Sequence, residues 1–322
     1  SLMKMNLKNL LSIVIATSLF WGCVNNKKEK IVVTYDIADL LKNASDNIII
    51  PQLEDLKKSS EELELAFSEF NKSPSASELV SLQASYKNSY LKWQLCSFIN
   101  FGSSSADYLA FTLNTFPVDV ENINKFFNNS GDDLESSEYS NSRGYPGFDY
   151  VLFEGSQEDI INRIKGDGNE YCVKNIELLK SYSTKNLSFW RDNEDNFYQE
   201  FTTDTSMTKS SPFTIFVNAF CKDLEVLKNE QLKAPGGQEF FTFPLPKESE
   251  ALYSGYSLDL FKAHLLNLER VYKGENLMGD NGLGFEDYLK FMGTEKAEGN
   301  LNELILSTFS KIEELVNSLN GS

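Results

Sequence analysis

From Tyr35 to the end of this 322-residue chain, apolar residues return every third or fourth position. That spacing puts them on one face of an α-helix, and a helix with one apolar face must bury it against another element. Leu53, Leu56, Leu63, Phe67 and Phe70 give the first such face, and Leu79, Leu82, Tyr86, Tyr90 and Trp93 the second. Cys172, Ile176, Leu179, Tyr182, Leu187, Trp190 and Phe197 predict a long helix over 170–201 with a kink near Asn186. Phe213, Phe216, Phe220, Leu224 and Leu227 predict a helix from Pro212 to about Leu232. A further face comprises Leu258, Phe261, Leu265, Leu268 and Tyr272, and 282–319 supplies two more helices. No segment alternates apolar with polar residues as a half-buried strand does. The expectation is an all-α protein of two helical-bundle subdomains packed against each other.

The breaks between these faces are chemically specified. Ser73-Pro74 stops the first helix, and Ser75 with Glu78 three residues later is a capping-box pattern that starts the second. Gly102-Ser103-Ser104-Ser105, the Ser/Thr-rich 202–212 and Ala234-Pro235-Gly236-Gly237 read as loops, and Ser257 reads as an N-cap for the helix after it. Residues 128–142, rich in Asn, Ser and acids, read as a solvated loop without calcium-loop spacing.

The front of the chain is different. Lys4 and Lys8 precede an apolar run from Leu10 to Trp21 that ends in Gly22-Cys23. The run is shorter than the roughly 20 residues a membrane-spanning helix needs, so it reads as a cleaved lipoprotein signal peptide over 1–22. Cys23 is then the lipidation site and membrane anchor, and 23–34, with Lys27, Lys28 and Lys30, is a tether. The division that follows is 35–142 for an N-terminal bundle, 143–160 for a junction segment and 161–322 for a C-terminal bundle.

Loss of Lys4 and Lys8 with the leader moves the formal charge from −17 to −19. A chain this acidic repels nucleic acid and anionic head groups, so nucleic acid is not an expected partner. Cys96, Cys172 and Cys221 are sparse, odd in number and without Cys-x-x-Cys spacing, which reads as small buried residues rather than a zinc knuckle.

One stretch stands apart from the helical background: Arg143-Gly144-Tyr145-Pro146-Gly147-Phe148-Asp149-Tyr150-Val151-Leu152-Phe153, a Gly/Pro turn running into an aromatic and apolar segment with a single carboxylate. Glu250-Ala251-Leu252-Tyr253-Ser254-Gly255-Tyr256-Ser257 leads a helix in a similar way, and Asn114-Thr115-Phe116-Pro117-Val118-Asp119 precedes another. In this order and spacing the stretches resemble the imelysin family, together with the aromatic helix from Leu82 that ends at Phe101-Gly102. That family's signature reads Gly-x-His-x-x-Glu. Gly144 matches it, but Pro146 stands at the histidine and Asp149 at the glutamate.

The resemblance implies a bacterial cell-envelope protein linked to iron uptake, with iron or another cation as an associated ion and a cleft between subdomains where the signature meets the Glu-x-x-Tyr-Ser stretch. The family's name also carries a metallopeptidase activity. A catalytic zinc takes three protein ligands and a water, yet the chain holds one histidine, His264, at the edge of an apolar face. Proline offers neither a side-chain donor nor a backbone amide. The residues therefore favour binding over hydrolysis, with Arg143, Gly144, Tyr145, Asp149, Tyr150, Glu250, Tyr253 and Ser254 as the candidate ligand site. Arg143 is placed to clamp Asp149, Glu250 or an anionic ligand group. Two other readings remain open: a metallopeptidase that uses carboxylates such as Asp149 and Glu250, and a helical protein that holds an envelope partner.

Overall fold

The computed structural model describes residues 35–102, 112–129, 131–237, 244–293, 295–296 and 299–319. The leader, Cys23 and the tether lie outside the described residues. Helices α1 (Ile37–Asn43), α2 (Ile50–Lys72) and α3 (Ala76–Cys96) come first, with a π-helical turn, Ala44–Ile49, joining α1 to α2. They are followed by α4 (Val120–Asn128), α5 (Gly144–Phe153), α6 (Gln157–Lys165), α7 (Asn169–Arg191) and α8 (Phe197–Thr203). The chain closes with α9 (Pro212–Val226), a second π-helical turn (Leu227–Lys233), α10 (Ser257–Lys273), α11 (Phe285–Phe291) and α12 (Leu301–Leu319). The fold is all-α as the periodicity predicts. One small addition is a two-residue antiparallel ladder, Glu295–Lys296 with Gly299–Asn300, too short for any alternation to show in sequence.

Local chemistry sets the helix starts. Ser75 Oγ accepts from the Glu78 amide at 3.3 Å, and Asp119 Oδ1 accepts from the Asn122 amide at 3.0 Å. Ser257 departs from its expected role: Tyr256 is the N-cap residue and makes no side-chain cap bond, while the Ser257 hydroxyl donates to the carbonyl of Glu250. The predicted kink near Asn186 falls later. Asn186 donates to Tyr182 O within an unbroken turn, and α7 ends at Arg191, where Asn193, Asp195 and Asn196 adopt left-handed conformations.

Helices α2, α3 and α7 pack side by side, fastened at their rims by Lys180–Glu64 at 2.6 Å, Lys92–Asp55 at 2.6 Å and Arg191–Glu54. One bundle thus draws α7 from beyond residue 161 onto helices from before residue 142. Helix α1, although first in sequence, packs on α8 and α9. The aromatic faces read from the sequence form the core, including Tyr86, Tyr90, Trp190, Phe216 and Tyr272. Cys96 and Cys172 are free and fully buried, and burial pushes both thiols up, as suits packing groups, whereas Cys221 is free but only partly buried. Among the described residues no helix is long and apolar enough to cross a membrane.

Candidate functional site

The Gly144 signature opens α5. Pro146 sits in the first turn, where its missing N–H has no partner to lose. Gly144 is required at its position. Its φ is +71°, and a Cβ there would meet the Leu113 carbonyl oxygen at 2.3 Å. Asn175 on α7 clamps the same residue from both sides, accepting from the Gly144 amide at 2.7 Å and donating to its carbonyl at 3.0 Å.

One turn further on, Asp149 is buried. Its Oδ2 accepts from the backbone amides of Tyr253, at 2.7 Å, and Ser254, at 3.2 Å, and Tyr86 Oη lies 3.3 Å from Oδ1. The amides converge because 250–255 folds into a tight turn with Ala251 at φ +50° and Gly255 at φ +64°. A left-handed alanine costs about 1–2 kcal/mol, which the surrounding packing must hold in place. Burial raises the Asp149 carboxyl above its ordinary value, and the hydrogen bonds partly oppose that rise.

On the same turn, Glu250 enters a cage of side-chain amides. Its Oε1 accepts from Gln94 and, at 2.6 Å, from Asn114, and its Oε2 accepts from Gln231 at 2.5 Å. Tyr90 Oη donates to Asn114 at 2.6 Å. Burial raises the Glu250 carboxyl as well, opposed by the Asn114 and Gln231 bonds. Beyond Gln231 lies His264, buried on α10. Its Nδ1 is 2.9 Å from Gln231 Oε1, and its Nε2 is 2.6 Å from Asp223 and 3.0 Å from Ser97. Ser97 and Asp223 thus crowd one ring nitrogen. A serine–histidine–acid relay needs the serine and the acid on opposite ring nitrogens, so the group is not a nucleophilic triad. Ser254 hydrogen-bonds to Ala251 O at 3.4 Å, among its own turn.

The structure therefore brings together Asp149, Tyr150, Glu250, Tyr253 and Ser254 from the sequence-based site. Tyr150 and Tyr253 meet edge-to-face at 5.1 Å and stay half-buried, beside Arg163 stacked over Tyr150 at 5.1 Å. Tyr145 lies deeper, stacked on Tyr90 at 4.6 Å with its hydroxyl on Ser89 at 2.8 Å. Arg143 points elsewhere: its Nη1 donates to the carbonyls of Leu134 and Ser136, both at 3.1 Å. It closes the 128–142 segment onto α5 and does not clamp Asp149 or Glu250. That segment is accordingly better anchored than a solvated loop, with Leu134 and Tyr139 in the core.

Sequence reasoning missed Gln94, Asn114, Asp223 and Gln231. Two of them left a signal, a polar residue on an apolar register: Gln94 four places after Tyr90, and Asp223 three after Phe220. Gln231 left none, because the π-helical turn that aims it shifts the register. A separate groove of about 360 Å³ lies between α2 and α7, floored by Phe67 and Ile176, and shares no lining residue with this polar seam.

The donor set does not fit a metal. Among the described residues no three His, Cys, Asp or Glu groups are placed to hold one. Asp149 spends its oxygens on two backbone amides and the Tyr86 hydroxyl, Glu250 spends its own on side-chain amides, and His264 spends both ring nitrogens on Gln231, Asp223 and Ser97.

A family profile described as Imelysin matches residues 49–320. An imelysin-like protein from Psychrobacter arcticum 273-4 shares the fold with a TM-score of 0.64 at 15% identity, over 86% of this chain and 82% of that one. A protein described as an iron-regulated protein A precursor, from Parabacteroides distasonis ATCC 8503, gives a TM-score of 0.57 at 18% identity, over 87% of this chain and 84% of that one. No curated protein matches the chain.

Proposed function

The chain belongs to the imelysin family, and from that premise we propose that it is an exported, lipid-anchored protein of the bacterial cell envelope that binds a ligand and does not hydrolyse peptides. The observation that carries the binding reading is the fate of the signature carboxylate. Asp149 is held by the Tyr253 and Ser254 amides, so it serves as an internal fastening between α5 and the 250–255 turn and is not free to activate a water. Pro146 supplies no side-chain ligand, and His264 is committed within the core. What the turn leaves partly open is Tyr150, Tyr253 and Ser254: two aromatic faces with polar tips and a hydroxyl, a surface suited to recognition. The link to iron rests on the family resemblance and on the description of the Parabacteroides protein as iron-regulated.

The test is a hydrolysis assay of the purified protein against a general protein substrate, with and without chelator. The expected result is no cleavage in either condition, together with no stoichiometric zinc or iron and no thermal stabilisation on adding either. Chelator-sensitive cleavage would overturn the reading in favour of a carboxylate-liganded peptidase. The anchor has a separate test. Cys23→Ala moves the protein from the membrane to the soluble fraction, and retention in the membrane removes the lipid part of the proposal.

A further inference from the structure

The group around His264 is a charge network that the binding reading does not use. Glu250 Oε1 takes two amide donors, Gln94 and Asn114, and Oε2 takes one, Gln231 Nε2. An ionised carboxylate has no hydrogen to give, so Gln231 must turn its NH2 towards Glu250; Gln94 Oε1, 3.2 Å from the same nitrogen, requires the same orientation. The Gln231 carbonyl oxygen then faces His264 Nδ1. On the other side of the ring, Nε2 faces the Asp223 carboxylate. Both ring nitrogens point at acceptors, so both carry a hydrogen.

We propose that Glu250 sets the protonation of His264 through the orientation of the Gln231 amide, the three forming a latch that ties the turn before α10 to α9.

The charged groups around the ring are few. Helix α9 contributes Asp223, and the 250–255 turn contributes Glu250 across Gln231. The π-helical turn contributes Gln231 itself, while its Lys228 pairs with Glu225. Helix α3 contributes the uncharged Gln94 and the Tyr90 hydroxyl beside Glu250, with Ser97 just past its end, and α11, which also packs on α10, pairs its Glu286 with Lys290. Helix α12, also packed on α10, is reached through Lys262, on the other side of the helix from His264, and through Tyr272, about two turns further on. Loss of the Nδ1 proton leaves a bare nitrogen facing the Gln231 oxygen. The amide then turns over, presents its oxygen to the Glu250 carboxylate and repels it. The Glu250 turn, held also by the Ser257 hydroxyl and by Asp149, is the element so released.

The chain has a single histidine, which makes the test clean. The full-length protein labelled with 15N-histidine is expected to show both ring nitrogens in the protonated range at neutral pH; one bare nitrogen overturns the proposal. In Glu250→Gln the amide oxygen takes the position with two donors, its NH2 faces Gln231, and the Gln231 amide inverts. Nδ1 is then expected to move to the bare-nitrogen range, and an unchanged ring overturns the coupling. If that variant does not fold, the wild type still decides. As pH is raised, amide exchange at 250–256 is expected to accelerate tenfold or more at the pH where the ring loses its second proton. Ring deprotonation without faster exchange there overturns the latch.

Discussion

Asp149 and Glu250 are both buried, and burial lifts both carboxyls, yet the two are fastened in different ways. Asp149 is bonded to backbone amides of a strained turn, whose positions are fixed by the chain itself. Glu250 is bonded to the side-chain amides of Gln94, Asn114 and Gln231, each able to rotate and each tied to something else. A carboxylate caught by backbone is part of the scaffold, because removing it strands two N–H groups that cannot turn away. A carboxylate caught by rotatable amides can change its charge while its neighbours rearrange. The Asp149 side of the seam is thus rigid and the Glu250 side adjustable, although only a few residues of one turn separate them.

The sharpest way to break this contrast is to attack the rigid side. Gly144→Ala places a methyl against the Leu113 backbone in a left-handed conformation, where nothing can give but the chain. The expected loss is about 3 kcal/mol or more, read from urea unfolding. A loss under about 1 kcal/mol would mean that the α5 start is softer than its contacts indicate. Asp149→Ala leaves the Tyr253 and Ser254 amides without their acceptor, and a loss of about 3 kcal/mol is expected. Glu250→Ala should cost less, about 2 kcal/mol, because Gln94, Asn114 and Gln231 can re-pair with one another. Equal losses at Asp149 and Glu250 would erase the distinction.

The all-α architecture was legible because apolar spacing persists across five helical faces, and the same spacing foretold Tyr86, Tyr90 and Trp93 as core. The signature was legible as a special place through Gly144 and Asp149. That it meets the Tyr253-Ser254 stretch followed from the family resemblance, but the atoms that bond Asp149 were not legible, since the Tyr253 and Ser254 amides belong to backbone, which leaves no mark in residue identity. Arg143 misled for a related reason: a guanidinium reads as a partner for carboxylates, but here it satisfies the carbonyls of Leu134 and Ser136. Ser257 misled likewise, its hydroxyl being drawn to Glu250 O instead of the first-turn amides. The Gln231 contact depends on a π-helical turn, and a 3.6-residue period cannot foresee where the register slips.

The pH dependence sharpens the contrast further. The Glu250 carboxyl is raised by burial, so its folded value lies above its unfolded one. Stability from such a group is fully present below the ordinary glutamate value of 4.5 and is lost as pH rises through the folded value. The wild type should therefore lose ground to Glu250→Gln as pH rises above that ordinary value. Paired urea melts across that rise measure it, and a difference that stays constant with pH would show that Glu250 titrates alike in both states.

The smallest effect tests how Asp149 shares its load. Tyr86 Oη lies 3.0 Å from Tyr145 O and 3.3 Å from Asp149 Oδ1, so its one hydrogen serves two acceptors, each of which has another partner or a helical bond. Tyr86→Phe keeps the ring and its edge-to-face packing on Phe148 at 5.7 Å. The expected cost is about 1 kcal/mol. Tyr90→Phe removes the hydroxyl that orients Asn114 towards Glu250, so it should cost a similar amount while also altering the pH dependence assigned to Glu250. If Tyr86→Phe changes that pH dependence and Tyr90→Phe does not, the two carboxylates are wired to the opposite tyrosines from those their hydrogen bonds indicate.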